Sequence, residues 1–187
     1  GNIMSEAGFD VTKEYYINDA GNQMDLLGES VALRYQELLG AEIEMPENSY
    51  QGDYIKEIAA EIKDEYGDKY LAAVEDEDYE FFIEFAYEQL LANIEADLQA
   101  FGIEFDNWFS EQKLHREGKI EEVVAKLKEE GYLYEQEGAL WLKSTDFGDD
   151  KDRVVIKADG NPTYLAADIA YHDNKYQRGF EEVINVW

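Results

Sequence analysis

The sequence predicts a mixed α/β fold with a long helical segment in its middle, and three observations support this. Residues 11–17 are rich in β-branched and aromatic side chains, which predicts a strand. Over residues 23–39 apolar side chains recur every three or four positions, which predicts an amphipathic helix that ends before Gly40. Residues 183–187 form a nearly uninterrupted apolar run, which predicts a buried parallel strand.

The elements between these landmarks follow from periodicity and from the positions of glycines. Helices are predicted over residues 54–66 and 78–101, because apolar side chains recur at helical spacing and a glycine follows each segment. Residues 41–53 lack either pattern, whereas residues 103–109 alternate and predict a strand. The remaining predicted elements are a helix over 120–131, strands over 132–136, 139–142 and 154–157, a hairpin turn at Glu137-Gly138, and a helix over 164–175.

The composition of the chain already excludes several classes of function and of site. The 187 residues include 44 acidic and 16 basic side chains, a net charge of −28, which excludes attraction to nucleic acid or to an anionic membrane as the main role. Hydrophobic residues make up 45% of the chain, enough for a packed core. Cysteine is absent, which excludes disulfides and thiolate zinc sites. No apolar run approaches the ~20 residues of a membrane span and no signal-peptide pattern is present, so we expect a cytoplasmic protein.

Most charged and titratable motifs have a structural explanation. His115 and His172 lie far apart in the sequence, so neither is expected to bind a metal. The acidic stretch at residues 146–152 lacks the ordered spacing of a calcium loop, which favours a solvated turn with internal ion pairs. The acidic runs at residues 75–78 and 129–130 are expected to be solvated faces, with a surface for a basic partner as the alternative.

One group of residues suggests recognition of a cation. Glu111 follows a predicted strand, and Tyr164 and Asp168 lie four residues apart on one face of a predicted helix. Two carboxylates beside an aromatic ring suit a guanidinium, because carboxylates accept its planar fork bidentately and the ring can stack on it. The alternative is that these are three unrelated residues, and spacing alone identifies no enzyme class.

Several blocks of the sequence resemble one family, the bacterial arginyl-tRNA synthetases, and they occur in the order of that family. Residues 10–23 resemble the segment just after the first class I signature. The resemblance covers nearly the whole chain except the helical stretch between residues 41 and 103. The matching blocks are DVTKEYYINDAGNQ at 10–23, FDNWFSE at 105–111, GALWL at 138–142, STDFGDDKDRV at 144–154, DGNPTYLAADIAYH at 159–172, GF at 179–180 and VINVW at 183–187.

The resemblance implies a fold and a division of the chain. It implies part of a Rossmann-like nucleotide-binding fold that carries a helical insertion. Residues 1–40 and 104–187 would belong to the catalytic domain, and residues 41–103 would form the insertion. Ligands in such folds bind at the carboxyl ends of the parallel strands, so we expect Trp187 and residues 17–19 to approach that edge.

The resemblance also implies an activity and a site. Enzymes of this family activate arginine with ATP and Mg²⁺ and transfer it to the 3′ end of tRNA(Arg). By resemblance, Glu111 and Asp168 engage the guanidinium and ammonium ends of arginine, and Tyr164 lines the pocket. Asp19 and Gln23 are expected to border the same cleft, although a structural role in a turn is an equal alternative for both.

The family's nucleotide signatures and tRNA-binding domains find no match in these 187 residues. The chain therefore looks like an internal piece of a longer enzyme, and we expect no catalytic residue and no bound cofactor in it. We expect it to be inactive alone, and its exposed core edges could mediate self-association. The rival interpretations are an acidic, non-catalytic module that binds a basic partner and, less favoured, a carbohydrate-active enzyme that uses two carboxylates.

Overall fold

The computed structural model describes residues 1–186 and contains both helices and strands. The helices are α1 (Asn2–Glu6), α2 (Asn22–Leu38), α3 (Asp53–Tyr66), α4 (Leu71–Glu75), α5 (Glu80–Ala100), α6 (Glu111–Arg116), α7 (Lys119–Glu129) and α8 (Tyr164–Gln177). The strands are β1 (Glu14–Ile17), β2 (Asn107–Ser110), β3 (Leu133–Gln136), β4 (Ala139–Leu142) and β5 (Arg153–Ile156). The predicted α/β class is confirmed. None of the helices in this range is long and apolar enough to cross a membrane.

The long predicted helices are confirmed to within two residues at each end. Strands β1 and β2 begin three or four residues later than predicted, and the sequence analysis missed the short helices α1, α4 and α6. Helices of five or six residues show too little of the 3.6-residue period to be recognised, and they depend on the surrounding tertiary contacts.

The predicted strand at the end of the chain is wrong for residues 183–186, which have no regular secondary structure. Val186 is 93% exposed, which is the opposite of a buried strand. An apolar run forms a strand only where a neighbouring strand accepts its backbone hydrogen bonds. These four residues pair with none of the five strands. Trp187 lies outside the described residues, so its expected place at the edge of the sheet stays a prediction.

The chain divides into two compact units. The first contains Gly1–Tyr15 and Asp19–Trp108. Its core joins α2, α3 and α5, because their buried faces share one cluster that includes Val31, Ile62 and Phe82. Helix α2 thus packs with the helices of the predicted insertion, while the predicted boundaries near residues 40 and 103 stay predictions.

Close approach of α2 and α5 requires a glycine at position 28. A Cβ atom built on Gly28 would lie 2.3 Å from Cγ1 of Ile83 and 3.2 Å from Cβ of Tyr79. A contact of 2.3 Å does not occur between carbon atoms, and one of 3.2 Å is tighter than most. The absence of a side chain at Gly28 therefore allows the two helices to pack at this distance.

The second unit contains Tyr16–Asn18 and the residues from Phe109 onward. Its core packs α6, α7 and α8 against β3, β4 and β5, with Leu114, Ile120 and Val155 almost completely buried. Strands β3, β4 and β5 form an antiparallel sheet in that order, and β1 pairs with β2 in a separate two-stranded sheet.

The predicted hairpin at residues 137–138 is confirmed. Gln136 is paired with Ala139, so the loop has two residues, Glu137 and Gly138. Both have positive φ angles, 53° and 77°, as a type I′ turn requires. Glycine adopts this conformation freely, whereas Glu137 does so at a cost in conformational energy.

Candidate functional site

Glu111 is positioned by the junction between β2 and α6. Strand β2 ends at Ser110, whose Oγ accepts a hydrogen bond from the backbone N–H of Lys113 at 3.3 Å and caps the helix. Glu111 is therefore the first residue of α6, directly after Ser110 and two residues after the buried Phe109. It is only 5% exposed, which is unusual for a glutamate.

The buried carboxylate of Glu111 lies near two other ionisable side chains, Tyr16 and His115. Tyr16 is on β1, and the negative charge of Glu111 acts on its phenol. Nε2 of His115, one turn further along α6, lies 3.8 Å from Glu111 Oε1. Burial raises the pKa of the Tyr16 phenol, and the charges of Glu111 and Asp168 raise it further. Tyr16 is therefore a permanently protonated donor at neutral pH.

Asp168 lies on α8, and its charge also acts on the phenol of Tyr16. Its negative charge is among the causes of the raised pKa of Tyr16, and charge interactions weaken with distance, so both carboxylates lie near Tyr16. Partial burial raises the pKa of the Asp168 carboxyl, and the positive groups of His172 and Lys175 oppose this shift. The charges of Glu111 and Asp168 thus both act on the phenol of Tyr16.

Tyr164 is the first residue of α8 and precedes Asp168 by one turn. It is 67% exposed, so its ring lies toward solvent at the start of the helix. Residues four apart on a helix share a face, so a ring and a carboxylate occur on the same side of α8, as the sequence predicts.

A cluster of tilted aromatic rings packs around Tyr16. The ring centroid of Tyr16 lies 4.5 Å from that of Tyr171, and Tyr171 lies 4.8 Å from Phe109. Nζ of Lys175 lies 3.8 Å from the centroid of Tyr171 and donates a hydrogen bond to Asn185 Oδ1 at 3.1 Å. Burial lowers the pKa of His172, and the charge of Lys175 lowers it further.

The sequence analysis did not identify Tyr16, Tyr171 or Lys175 as part of the site. For the two residues on α8 a signal exists, because Tyr171 and Lys175 follow Asp168 at helical spacings of three and seven residues. Tyr16 has no comparable signal, since either face of a short strand could point toward the carboxylates.

Asp168 also lines an open groove between α7 and α8. The groove has a volume of about 480 Å³. Its apolar walls are formed by Val123 and Leu127 from α7 and by Leu165 and Ile169 from α8. The carboxylate is therefore accessible from a partly apolar surface, unlike the almost completely buried Glu111.

Asp19 and Gln23 lie in the first unit. Asp19 is buried, and burial together with the charge of Asp19 raises the pKa of the Tyr87 hydroxyl to about 12. Gln23 is exposed in the first turn of α2. Their expected place at the border of the arginine cleft stays a prediction.

The arrangement can bind a cation. Two carboxylates, a neutral phenol donor and nearby rings offer acceptors and aromatic faces to a positively charged group. In the acidic loop, by contrast, Arg153 pairs with Asp149 and Asp150 at 2.8 Å, which matches the expected internal ion pairs. Within residues 1–186, no group of three or more histidine or acidic side chains could hold a metal ion.

Comparison with known protein families shows the class of protein to which the chain belongs. The sequence model of the family described as "tRNA synthetases class I (R), catalytic domain" matches residues 1–186. The chain belongs to this family of class I synthetase catalytic domains.

Individual relatives of the chain are named arginine–tRNA ligases. An arginine–tRNA ligase of Geobacter sp. (strain M21) is 55% identical over 185 residues, which are 99% of this chain and 33% of the relative. The corresponding protein of Bacillus pumilus is 52% identical over 186 residues, again 33% of its length. The chain spans about a third of the length of these curated relatives.

The chain is also similar to solved structures of arginyl-tRNA synthetases. A crystal structure described as an arginyl-tRNA synthetase of Campylobacter jejuni superposes with a TM-score of 0.89 at 38% identity, covering 99% of this chain and 40% of that one. The arginyl-tRNA synthetase of Plasmodium falciparum, at 16% identity and a TM-score of 0.61, shares the fold.

Proposed function

We propose that this chain carries the arginine pocket of an arginine–tRNA ligase. The whole enzyme would activate arginine with ATP and Mg²⁺ and transfer the arginyl group to tRNA(Arg) in the cytoplasm. Family membership supports the reaction. The observation that supports the site is that the charges of both Glu111 and Asp168 act on the phenol of Tyr16 and raise its pKa.

The proposed roles follow from the chemistry of arginine. Arginine carries a guanidinium and an ammonium group, and Glu111 and Asp168 together offer one carboxylate to each. Tyr164, exposed one turn before Asp168, supplies a ring at the rim of the pocket. Lysine is a poor substrate for such a site, because a compact ammonium does not satisfy the acceptors that suit a planar fork.

The same residues do not suit a triphosphate. Carboxylates and a protonated phenol surrounded by negative charge repel phosphate groups, which bind to cationic side chains and oriented N–H dipoles. We therefore assign ATP, its Mg²⁺ and tRNA(Arg) to no residue described here. We expect no arginine-dependent pyrophosphate exchange from the 187-residue chain alone, and measurable exchange would contradict this. Self-association of the isolated chain is a further expectation, measurable by analytical ultracentrifugation.

Kinetics of the full-length enzyme test the site. We expect Glu111→Gln and Asp168→Asn each to raise the KM for arginine in pyrophosphate exchange about 10- to 100-fold, the loss of one hydrogen-bonded charge pair. The KM for ATP should stay within about twofold, because neither carboxylate is assigned to the nucleotide.

A matched control is Glu135→Gln. Glu135 is an exposed carboxylate on β3 that pairs with Lys128 at 2.8 Å, far along the chain from both proposed ligands. This variant should leave the KM for arginine unchanged. If Glu111→Gln and Asp168→Asn behave like Glu135→Gln, the assignment of the pocket is wrong.

A further inference from the structure

The second half of helix α5 carries apolar side chains that lie outside the core of the first unit. The buried residues of α5, Phe82 and Ala86, belong to its first half. The core cluster reaches as far as Leu90, and no later side chain of α5 in the described part of the chain belongs to it. Residues 91–100, about three turns of the helix, therefore lie beyond that core.

These last turns form a continuous apolar face. Leu91, Ile94 and Leu98 follow one another at spacings of three and four residues, which places them on one side of the helix. Phe101 continues the spacing, because its backbone is still helical, with φ −80° and ψ −6°. Ile94 is 39% exposed and Phe101 is 85% exposed, whereas Leu91 and Leu98 are partly buried. We call these four residues the α5 face.

The α5 face has the pattern of an interaction surface. Single exposed apolar side chains are ordinary on a protein surface, but a row of them at the helical repeat marks contact with another element. Ile103 extends the row, since its backbone N–H donates to the carbonyl of Leu98 at 2.8 Å and its side chain is 40% exposed. The row therefore runs from the middle of α5 past its last residue.

Acidic side chains border the α5 face. Glu84, Glu88 and Glu95 are exposed and lie along one edge, at spacings of four and seven residues. Asp97 lies at the other edge, three residues after Ile94. Helix α5 contains five acidic residues and no lysine or arginine. The partner that fits this surface has an apolar centre and basic side chains at its edge.

A second copy of the same face does not meet that requirement. Two α5 helices packed face to face would place Glu88 and Glu95 of both copies along one interface, with no basic residue on either helix to pair with them. Like charges brought together in this way oppose association. The same acidic edge disfavours contact with an anionic membrane.

Most of each relative lies outside the region that matches this chain. The chain spans 33% of the Geobacter protein and 40% of the Campylobacter jejuni structure. We propose that the α5 face is an internal docking surface of the full-length enzyme. An amphipathic helix from outside these 187 residues covers it, and lysine or arginine side chains of that helix pair with Glu88 and Glu95. The inference goes beyond the proposed arginine pocket, because it involves neither Glu111 nor Asp168.

Hydrogen exchange of the backbone amides of α5 tests the proposal. We expect the amides of residues 93–100 to exchange at least about tenfold more slowly in the full-length enzyme than in the 187-residue chain, because a covered helix end opens less often. In the full-length enzyme, Ile94→Glu should speed this exchange about tenfold, since it places a charge in an apolar contact. In the 187-residue chain the same change should have less than about a twofold effect, because Ile94 is exposed there.

A matched control is Ala96→Glu. Ala96 is exposed and lies on the side of α5 opposite the α5 face, so the same charge enters the same turn without entering the contact. This variant should change the exchange by less than about twofold in both proteins. Should Ile94→Glu prevent folding of the full-length enzyme, Ile94→Ala takes its place, with an expected increase of about threefold.

Charge reversal tests the chemistry of the partner. Glu88→Lys combined with Glu95→Lys should speed the exchange of residues 93–100 at least about threefold in the full-length enzyme, because like charges then face each other. Glu57→Lys combined with Glu61→Lys is the control, since these exposed glutamates lie on α3 of the same unit. It should leave the exchange of α5 unchanged.

Three results would overturn the inference. The first is equal exchange of residues 93–100 in the full-length enzyme and in the 187-residue chain. The second is exchange in the 187-residue chain that slows as its concentration rises, because the α5 face would then bind a second copy. The third is an effect of Ile94→Glu without one of the Glu88 and Glu95 reversal, which would refute a basic partner. The measurement uses no arginine, so its outcome is independent of the proposed pocket.

Discussion

Removing the hydroxyl of Tyr35 should lower the free energy of unfolding, because this hydroxyl makes two hydrogen bonds. Its side chain is completely buried in the core of the first unit, with the Phe82 ring centroid 5.4 Å away. The hydroxyl donates to the carbonyl of Gly67 at 2.7 Å and accepts from the backbone N–H of Tyr70 at 3.3 Å. It thus fastens the turn after α3 to α2. Tyr35→Phe keeps the ring and removes both bonds.

The expected cost is about 1.5 kcal/mol. The short bond to Gly67 contributes about 1 kcal/mol and the longer one about half as much. The full penalty for an unsatisfied buried group does not apply, because Gly67 is exposed and Tyr70 is only partly buried, so water can reach both backbone groups. For a chain of this length the loss corresponds to a Tm about 3–6 °C lower.

Urea denaturation of the 187-residue chain, followed by circular dichroism, measures the change in the free energy of unfolding. Tyr54→Phe is the control, because Tyr54 lies on the neighbouring α3 and is 40% exposed. We expect that variant to change stability by less than about 0.5 kcal/mol. A loss for Tyr35→Phe no larger than for Tyr54→Phe would refute the role of the hydroxyl, and a loss above about 4 kcal/mol would mean that the ring no longer fits.

Three further predictions test other parts of the structure. Gly28→Ala should lower the free energy of unfolding by about 1–3 kcal/mol, because its Cβ would lie 2.3 Å from Ile83 Cγ1; an unchanged Tm would contradict the close packing of α2 and α5. Glu137→Asn should raise stability by about 0.5–1 kcal/mol, because asparagine tolerates the positive φ of 53°, and a lower Tm would contradict the turn type. Burial raises the pKa of the Asp168 carboxyl above its ordinary value of 3.8. Titration calorimetry should therefore show that the affinity for arginine falls on acidification while the pH is still above 3.8. Folding favours the protonated form of this group, so its contribution to stability decreases as the pH rises through that pKa. In Asp168→Asn this part of the pH dependence should be absent.

Local chemistry predicted the larger elements of this fold. Periodic apolar residues and a following glycine located α2, α3 and α5, because helix boundaries depend mainly on the sequence within a few residues of each end. The hairpin turn was predicted for the same reason, since Glu137-Gly138 lies between two alternating segments.

The apolar run at the end of the chain shows where local reasoning fails. Residues 183–186 have the composition of a buried strand, yet none of them belongs to a strand. A helix satisfies its backbone hydrogen bonds within its own segment, whereas a strand depends on partners that are distant in sequence. Apolar composition therefore predicts a strand only when a neighbouring strand is available.

For the candidate site, too, one part was predictable from the sequence and another part was not. The sequence by itself determined which residues can bind a guanidinium, because two carboxylates, Glu111 and Asp168, and the ring of Tyr164 suit that group wherever they meet. The FDNWFSE and PTYLAAD blocks, which contain these residues, also resemble one family. Only the tertiary structure decided that the charges of both carboxylates act on a tyrosine of β1. Three elements that are far apart in the sequence supply these side chains, and the contacts between them form only when strand pairing and helix packing bring the elements together.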